Sequence, residues 1–155
     1  MLIGVAKETW PGEVRSALVP ANATKLIKSG FSISMESGAG QAAGFTDQQY
    51  TDAGVSIVSS RAEVMAAADI FLAVRKPDTA EVDQLKSGAI SVSFLDPYNE
   101  KALIEALAAK GVTSISMEMI PRSTRAQKMD ALSSQANLAG YVTVVQAAYH
   151  SPKIM

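Results

Sequence analysis

DIFLAVRKPDTAEVDQLKSGAISVSFLDPYNEKALIEALAAKGVTSISME, residues 69–118, is the stretch whose reading decides the fold. Three short apolar runs stand in it: DIFLAV (69–74), AISVSFL (89–95) and VTSISME (112–118). Each is of strand length and too short for a packed helix. Between them lie two amphipathic runs. TAEVDQLKSG (79–88) reads as a short helix after the loop RKPD, and NEKALIEALAAKG (99–111) reads as a longer one with Asn99 as its cap. Strand, helix, strand, helix, strand is the sequence form of βαβ units, which build a parallel sheet.

The same alternation runs back to the N-terminus. LIGV (2–5) opens as a strand, Pro20 takes a first helical position, and Gly30 stops the helix that follows. FSISME (31–36) is the next strand, Thr46 caps DQQYTDAG, and Gly54 closes it. VSIV (55–58) is a strand, and Ser60 with Glu63 has the spacing of a capping box opening RAEVMAAA. Six strands and about as many helices result. The expected architecture is an α/β layered fold, flavodoxin-like or Rossmann-like, with a mainly parallel sheet flanked by helices and a long connecting helix at its end.

That last element stands apart. From about Ser134 the small and apolar residues of NLAGYVTVVQAAYH support one long helix, and no further strand follows it. The expected division is an α/β subdomain over residues 1–130 and a connecting helix over 131–155 whose destination lies outside this sequence.

Composition narrows the chemistry. A net charge of -1 over 155 residues offers no broad basic face, so nucleic acid is not an expected partner. The chain has no cysteine, which removes disulfides and thiolate chemistry. Its one histidine, His150, reads as a solvated residue near a helix end, and no metal site is expected. No apolar run reaches the roughly 20 residues that span a bilayer.

Two stretches invite a ligand. GAGQAAG (38–44) follows a strand but spaces its third glycine one place late for a GxGxxG phosphate loop, and VSIVSS offers no acidic residue to hold a ribose. A tight, close-packed turn is the expectation there. The second stretch is PRSTRAQKMDALSSQANLAGY, Pro121 to Tyr141. Arg122, Arg125, Gln127, Asp130, Ser133 and Ser134 exceed what one helix cap needs, although Asp130, Ser133 or Ser134 could each supply it. Arginine suits a phosphate, while glutamine, aspartate and serine suit a carboxamide or ribose hydroxyls. None of these groups normally titrates near neutral pH, which favours positioning over proton transfer. Helix initiation and ligand binding both remain open on residue types alone.

The polar stretch resembles the signature loop of the proton-translocating NAD(P) transhydrogenases, in the N-terminal NAD(H)-binding component of the alpha subunit. IGVAKETWPGEVRSALVP, ESGAGQAAGFTDQQYTDAGV and LAVRKPD are also similar to that family and to alanine dehydrogenase, so the resemblance covers essentially the whole chain. It implies an enzyme that passes hydride from NADH to NADP, coupled to proton movement. NAD(H) would sit between two α/β subdomains, and NADP(H) on a separate component. The implied catalytic residues are Arg122, Gln127 and Asp130, and the implied cofactor-binding residues are these with Ser133 and Tyr141. Asp130 and Ser133 are assigned to the nicotinamide end, Arg122 to the nucleotide near it, and Gln127 to the junction with NADP(H). Arg125 matches without a distinct role.

The implied partners are the NAD-binding subdomain of the same natural chain, an NADP(H)-binding component, a membrane proton-channel component and a second copy in a homodimer. The implied location is the cytoplasmic side of a bacterial inner membrane, or the matrix face in a mitochondrion. Alanine dehydrogenases need proton-moving groups because water attacks an imine. Here Asp96 and Ala73 stand where that pattern has its histidine and lysine. Arg15 matches a carboxylate-gripping arginine but also reads as a packing or surface charge, and Arg75 with Lys76 reads as a solvated loop pair. The remaining alternatives are a dehydrogenase of that kind and a stand-alone interaction domain without catalysis. The chain alone is expected to supply one wall of a cleft, with weak or no NADH binding and no hydride transfer.

Overall fold

A computed structural model describes residues 1–152; the expected connecting segment runs on to residue 155, so its last three residues lie outside the described ones. The chain divides into two compact units, Met1–Ser116 and a second from Met117 onward.

The first unit is a six-stranded sheet. Its strands are β1 (Leu2–Val5), β2 (Ser32–Glu36), β3 (Ser56–Val58), β4 (Ile70–Arg75), β5 (Ile90–Phe94) and β6 (Thr113–Ser116). All pairings are parallel, in the order β3-β2-β1-β4-β5-β6. This is the Rossmann order, with the reversal of direction between β1 and β4. The six expected strands are all present.

Helices α1 (Pro20–Lys28), α2 (Asp47–Asp52), α3 (Arg61–Ala67) and α4 (Lys101–Lys110) complete the layers. Because side chains alternate along each strand, the sheet feeds two cores. Ile3, Val5, Ile33 and Met35 pack with Ala23 of α1 and Tyr50 of α2. Phe71 packs on the other side with Met65 of α3 and Leu103 and Leu107 of α4. Each buried Val, Leu, Ile, Phe or Met side chain among them stabilises the fold by roughly 1.5–3 kcal/mol relative to exposure. Gly4 sits where β1 meets α3: a Cβ there would stand 2.7 Å from that of Ala68.

The expected helix starts are mostly met. Pro20 occupies the first turn of α1. The Gln49 N–H donates to Thr46 Oγ1 (3.4 Å) and the Thr46 N–H to Gln49 Oε1 (2.8 Å), closing a capping box on α2. At α3 the Ser60 half forms, with the Glu63 N–H donating to Ser60 Oγ (3.3 Å).

Two expectations are corrected. Asn99 does not cap α4, which starts at Lys101. Its amide instead donates to Asp96 Oδ1 (2.8 Å), inside a turn that Asp96 forms with a left-handed φ of 53°. The run from Thr79 is a 3-10 helix, Thr79–Gln84, capped by Asp78 with Glu81 as reciprocal partner. The final helix, α5, runs over Ala131–His150, and of the three candidate caps it is Asp130 that satisfies its first N–H groups.

The second unit comprises the polar loop and α5. From Leu132 to the end of α5 every residue is exposed, including Leu138, Val142, Val144 and Val145. A helix apolar on all sides is ordinarily a buried one. Among the described residues no helix is long and apolar enough to cross a membrane.

Candidate functional site

The polar loop is built from short turns that follow one another along the chain. The Ala126 N–H donates to the Ser123 carbonyl (3.0 Å), and the Met129 N–H to the Ala126 carbonyl (2.8 Å). Ala126 is buried, so its methyl group anchors the loop while the polar side chains on either side of it stay outside. A 3-10 turn over Gln127–Met129 then delivers Asp130 to the start of α5 in an extended conformation.

Asp130 is 8% exposed and bonded through both carboxylate oxygens. The N–H groups of Leu132 and Ser133 donate to its Oδ1 (3.0 and 3.1 Å), and the Ser133 hydroxyl donates to its Oδ2 (2.5 Å). The Ser133 hydroxyl, the backbone N–H groups of Ser133 and Leu132, and the charge of Arg122 hold its carboxyl below the usual range. At neutral pH it is an anion.

Arg122, Ser123, Thr124, Gln127, Asp130 and Ser133 line a cavity of about 250 Å³. Gln127, Asp130 and Ser133 also line a larger, more apolar one of about 510 Å³, with Met117, Met129 and Asn137 among its other walls. Four of the five expected site residues therefore converge on one space. The fifth, Tyr141, lies further along α5, 71% exposed and away from both linings. Ser123 and Thr124 escaped the sequence reading. Their signal was the hydroxyl pair held between two arginines in RSTR. Among the described residues neither Arg122 nor Arg125 has an ion-pair partner.

The first unit uses its charges differently. At the carboxyl ends of β1 and β4, Arg15 grips Glu13 with Nε (2.7 Å) and Nη2 (2.6 Å), and Arg75 Nε reaches the same carboxylate at 3.0 Å. The Glu13 side chain is 4% exposed. Its pKa falls to about 2, chiefly through the side-chain hydrogen bond from Arg15. Arg75 and Lys76 are thus not a solvated pair: both lie over the Trp10 ring, and Lys76 binds Glu100 at 2.6 Å. Arg15 is thus held in an ion pair with Glu13. His150 ends α5 exposed, edge-on to Tyr149.

The glycine-rich stretch is a close-packed turn, as expected. Gln41–Ala43 form a 3-10 turn, and a Cβ on Gly40 would lie 2.3 Å from the Tyr50 ring. Among the described residues no cluster of three or more acidic or histidine side chains could hold a metal ion.

The chain is similar to proteins of known family. The profile of the alanine dehydrogenase/PNT N-terminal domain matches residues 4–139. The NAD(P) transhydrogenase subunit alpha of Cereibacter sphaeroides is 46% identical over 147 residues, covering 95% of this chain and 28% of that protein. The crystal structure of transhydrogenase from Sinorhizobium meliloti superposes with a TM-score of 0.91 at 41% identity, covering 99% of this chain and 46% of that one. The alanine dehydrogenase of Mycobacterium tuberculosis is more distant, 32% identical over 150 residues and covering 97% of this chain and 40% of that protein. The chain spans less than half the length of each.

Proposed function

The chain belongs to the alanine dehydrogenase/PNT N-terminal domain family, and we propose that it is the N-terminal part of the NAD(H)-binding component of a proton-translocating NAD(P) transhydrogenase. Its work there is to supply one wall of the site from which hydride passes from NADH to NADP+. The observation that carries this reading is the convergence of Arg122, Gln127, Asp130 and Ser133 on one cavity.

The residues fit a nicotinamide nucleotide. A space of about 250 Å³ is below the range for a whole ligand of drug size, and so suits one end of a dinucleotide. When bound, NAD(H) supplies the hydride chemistry itself, which leaves the protein to bind, orient and exclude water. Arg122 offers an unpaired guanidinium to the nucleotide, and Asp130 and Ser133 offer oxygens to the nicotinamide end. Gln127, also in the cavity wall, would meet the incoming NADP(H). Tyr141 would contact the cofactor from α5.

Alanine dehydrogenation is less well supported. The positions of its proton-moving groups hold Ala73, whose methyl packs against the core, and Asp96, which is tied into the turn with Asn99. In this reading residues 1–130 are the first α/β subdomain and 131–155 lead toward a second, nucleotide-binding one. The other partners are a separate NADP(H) component, a membrane proton channel and a second copy in a homodimer. The complete assembly would lie at the cytoplasmic face of a bacterial inner membrane, or the matrix face of a mitochondrial one.

The test is Arg122→Ala in the full-length protein that carries this chain. NADH affinity should fall about tenfold, equivalent to roughly 1.4 kcal/mol, with the thermal midpoint unchanged. Wild-type affinity in that variant would remove Arg122 from the site.

A further inference from the structure

Arg122, Ser123, Thr124 and Arg125 set two hydroxyls between two guanidiniums, and all four residues are exposed. The Ala126 N–H closes a turn onto the Ser123 carbonyl (3.0 Å), with Thr124 and Arg125 at its tip. Among the described residues neither hydroxyl makes a hydrogen bond and neither arginine an ion pair. The turn thus presents two nucleophilic oxygens beside two unused forked cations. None of them is needed to start α5, which Asp130 caps.

A phosphate joined to either oxygen would be held where it forms. It carries a charge of about -1.5 to -2 near neutral pH, with three strong acceptor oxygens that a guanidinium binds in pairs. Arg122, Arg125 and Lys128 favour that charge, and Asp130 opposes it. Asp130 already shares its own charge with two N–H groups and the Ser133 hydroxyl, so the three cations prevail. We propose that the Ser123–Thr124 hydroxyl pair is a phosphorylation site, whose phosphate pairs with Arg122 and Arg125 and closes the neighbouring cavity to a nucleotide.

In the transfer, one hydroxyl oxygen attacks the γ-phosphorus of a nucleoside triphosphate held by a protein kinase. The bond to the β-phosphate oxygen breaks, the nucleoside diphosphate leaves, and the hydroxyl proton passes to a base of the kinase. An exposed turn is the kind of segment a second enzyme can reach. Ser133, the other hydroxyl in the cavity wall, is unsuited: it donates its hydrogen to Asp130, and a phosphate there would face that carboxylate.

Ser123 and Thr124 line the cavity of about 250 Å³ together with Arg122. Phosphorylation therefore occupies its free guanidinium and adds a second anion to the one at Asp130. A nucleotide, itself an anion, meets repulsion where it would have met a cation. The inference rests on the reading of this cavity as part of a dinucleotide site, and adds how that site is shut.

The experiment uses the full-length protein that carries this chain, with phosphoserine in place of Ser123. Phosphorus NMR titration, with no nucleotide present, should give a second phosphate pKa below the ordinary value of about 6, because the three cations favour the dianion. Arg125→Ala should return it toward about 6. Calorimetry should show NADH binding about tenfold weaker than in the unmodified protein, by charge repulsion and loss of Arg122. Mass spectrometry of the protein from its own cells, in growth and in stationary phase, should find one phosphate on the peptide that holds Ser123 and Thr124.

A phosphate that titrates alike with and without Arg125→Ala makes no pair with the loop and overturns the inference. So does equal NADH affinity in the phosphorylated and unmodified proteins, or a peptide without phosphate in both phases. Unmodified protein that binds no NADH would overturn the dinucleotide reading, and the closing of the site with it. A lowered phosphate pKa and a phosphorylated peptide would still uphold the modification site in that case.

Discussion

The glycine-rich turn at Gly38–Gly44 and the polar loop at Arg122–Ser133 both carry sequence features of a nucleotide site, and the structure uses them in opposite ways. In the turn, glycine makes room that the protein itself fills. The Tyr50 ring lies against Gly40, is wholly buried, and donates its hydroxyl hydrogen to the Leu18 carbonyl at 2.7 Å. In the loop, the side chains face an open cavity and two guanidiniums have no ion-pair partner among the described residues. A ligand site needs unfilled space and unused bonding capacity. The turn borders a cavity of about 300 Å³, but the Asp47 carboxylate in its wall already takes the Ser37 hydroxyl and the Gly38 N–H. The Glu13 cluster likewise has its charges paired. The loop keeps both space and two guanidiniums without an ion-pair partner among the described residues.

The largest effect that would break this contrast is expected at Gly40. Its φ of -92° is open to any residue, so Gly40→Ala tests only the space. The added methyl would have to displace the Tyr50 ring and loosen its hydrogen bond, costing about 3 kcal/mol by overpacking and the lost bond together. Chemical denaturation should show that loss. A variant as stable as the wild type would mean that the turn has room, and would return it to consideration as a site.

The next effect concerns charge. Glu13→Gln should cost about 1–2 kcal/mol at neutral pH, reduced from the value of a buried pair because solvent reaches both Arg15 and Arg75. The folded-state pKa of Glu13, about 2, lies below its ordinary 4.5. Its stabilisation is therefore full above pH 4.5 and is lost as pH falls from there toward 2. The stability gap between wild type and variant should close over that window. A gap that stays constant from pH 7 to pH 2 would show that the cost came from altered packing, not from the ion pairs.

How far the sequence foretold these differences depends on how local each one is. Strands were legible because a run such as DIFLAV is apolar over a strand's length, and the Thr46 cap because its partner Gln49 is three residues away. The Asn99 cap failed on an equally short separation: Asp96 took a left-handed turn that competes for the same amide, and nothing in the pattern ranks the two. Arg75 was misread because its partner, Glu13, lies 62 residues earlier and meets it only when β4 is laid beside β1. In the loop, residue types pointed to Arg122, Gln127, Asp130 and Ser133, which share a cavity. The mutual bonding of Asp130 and Ser133 was hidden, since types reveal what a group can bind and not what it has already bound.

The smallest expected effect asks whether an unused polar group is enough to make a site. Ser91 on β5 is wholly buried, and its hydroxyl has no hydrogen-bond partner among the described residues. It stands opposite Phe71 on one side and Ser114 on the other. Like Ser133 it is a serine with bonding capacity, but it faces a packed core and not a cavity. Removing an unpaired buried hydroxyl while keeping the side chain's shape is nearly neutral or stabilising. Ser91→Ala should therefore leave stability unchanged or raise it by up to about 1 kcal/mol, read from the denaturation midpoint. A loss of more than about 1 kcal/mol would show that the Ser91 hydroxyl is hydrogen-bonded in solution. The contrast with the loop would then rest on space alone, because unused bonding capacity would no longer tell the core from the site.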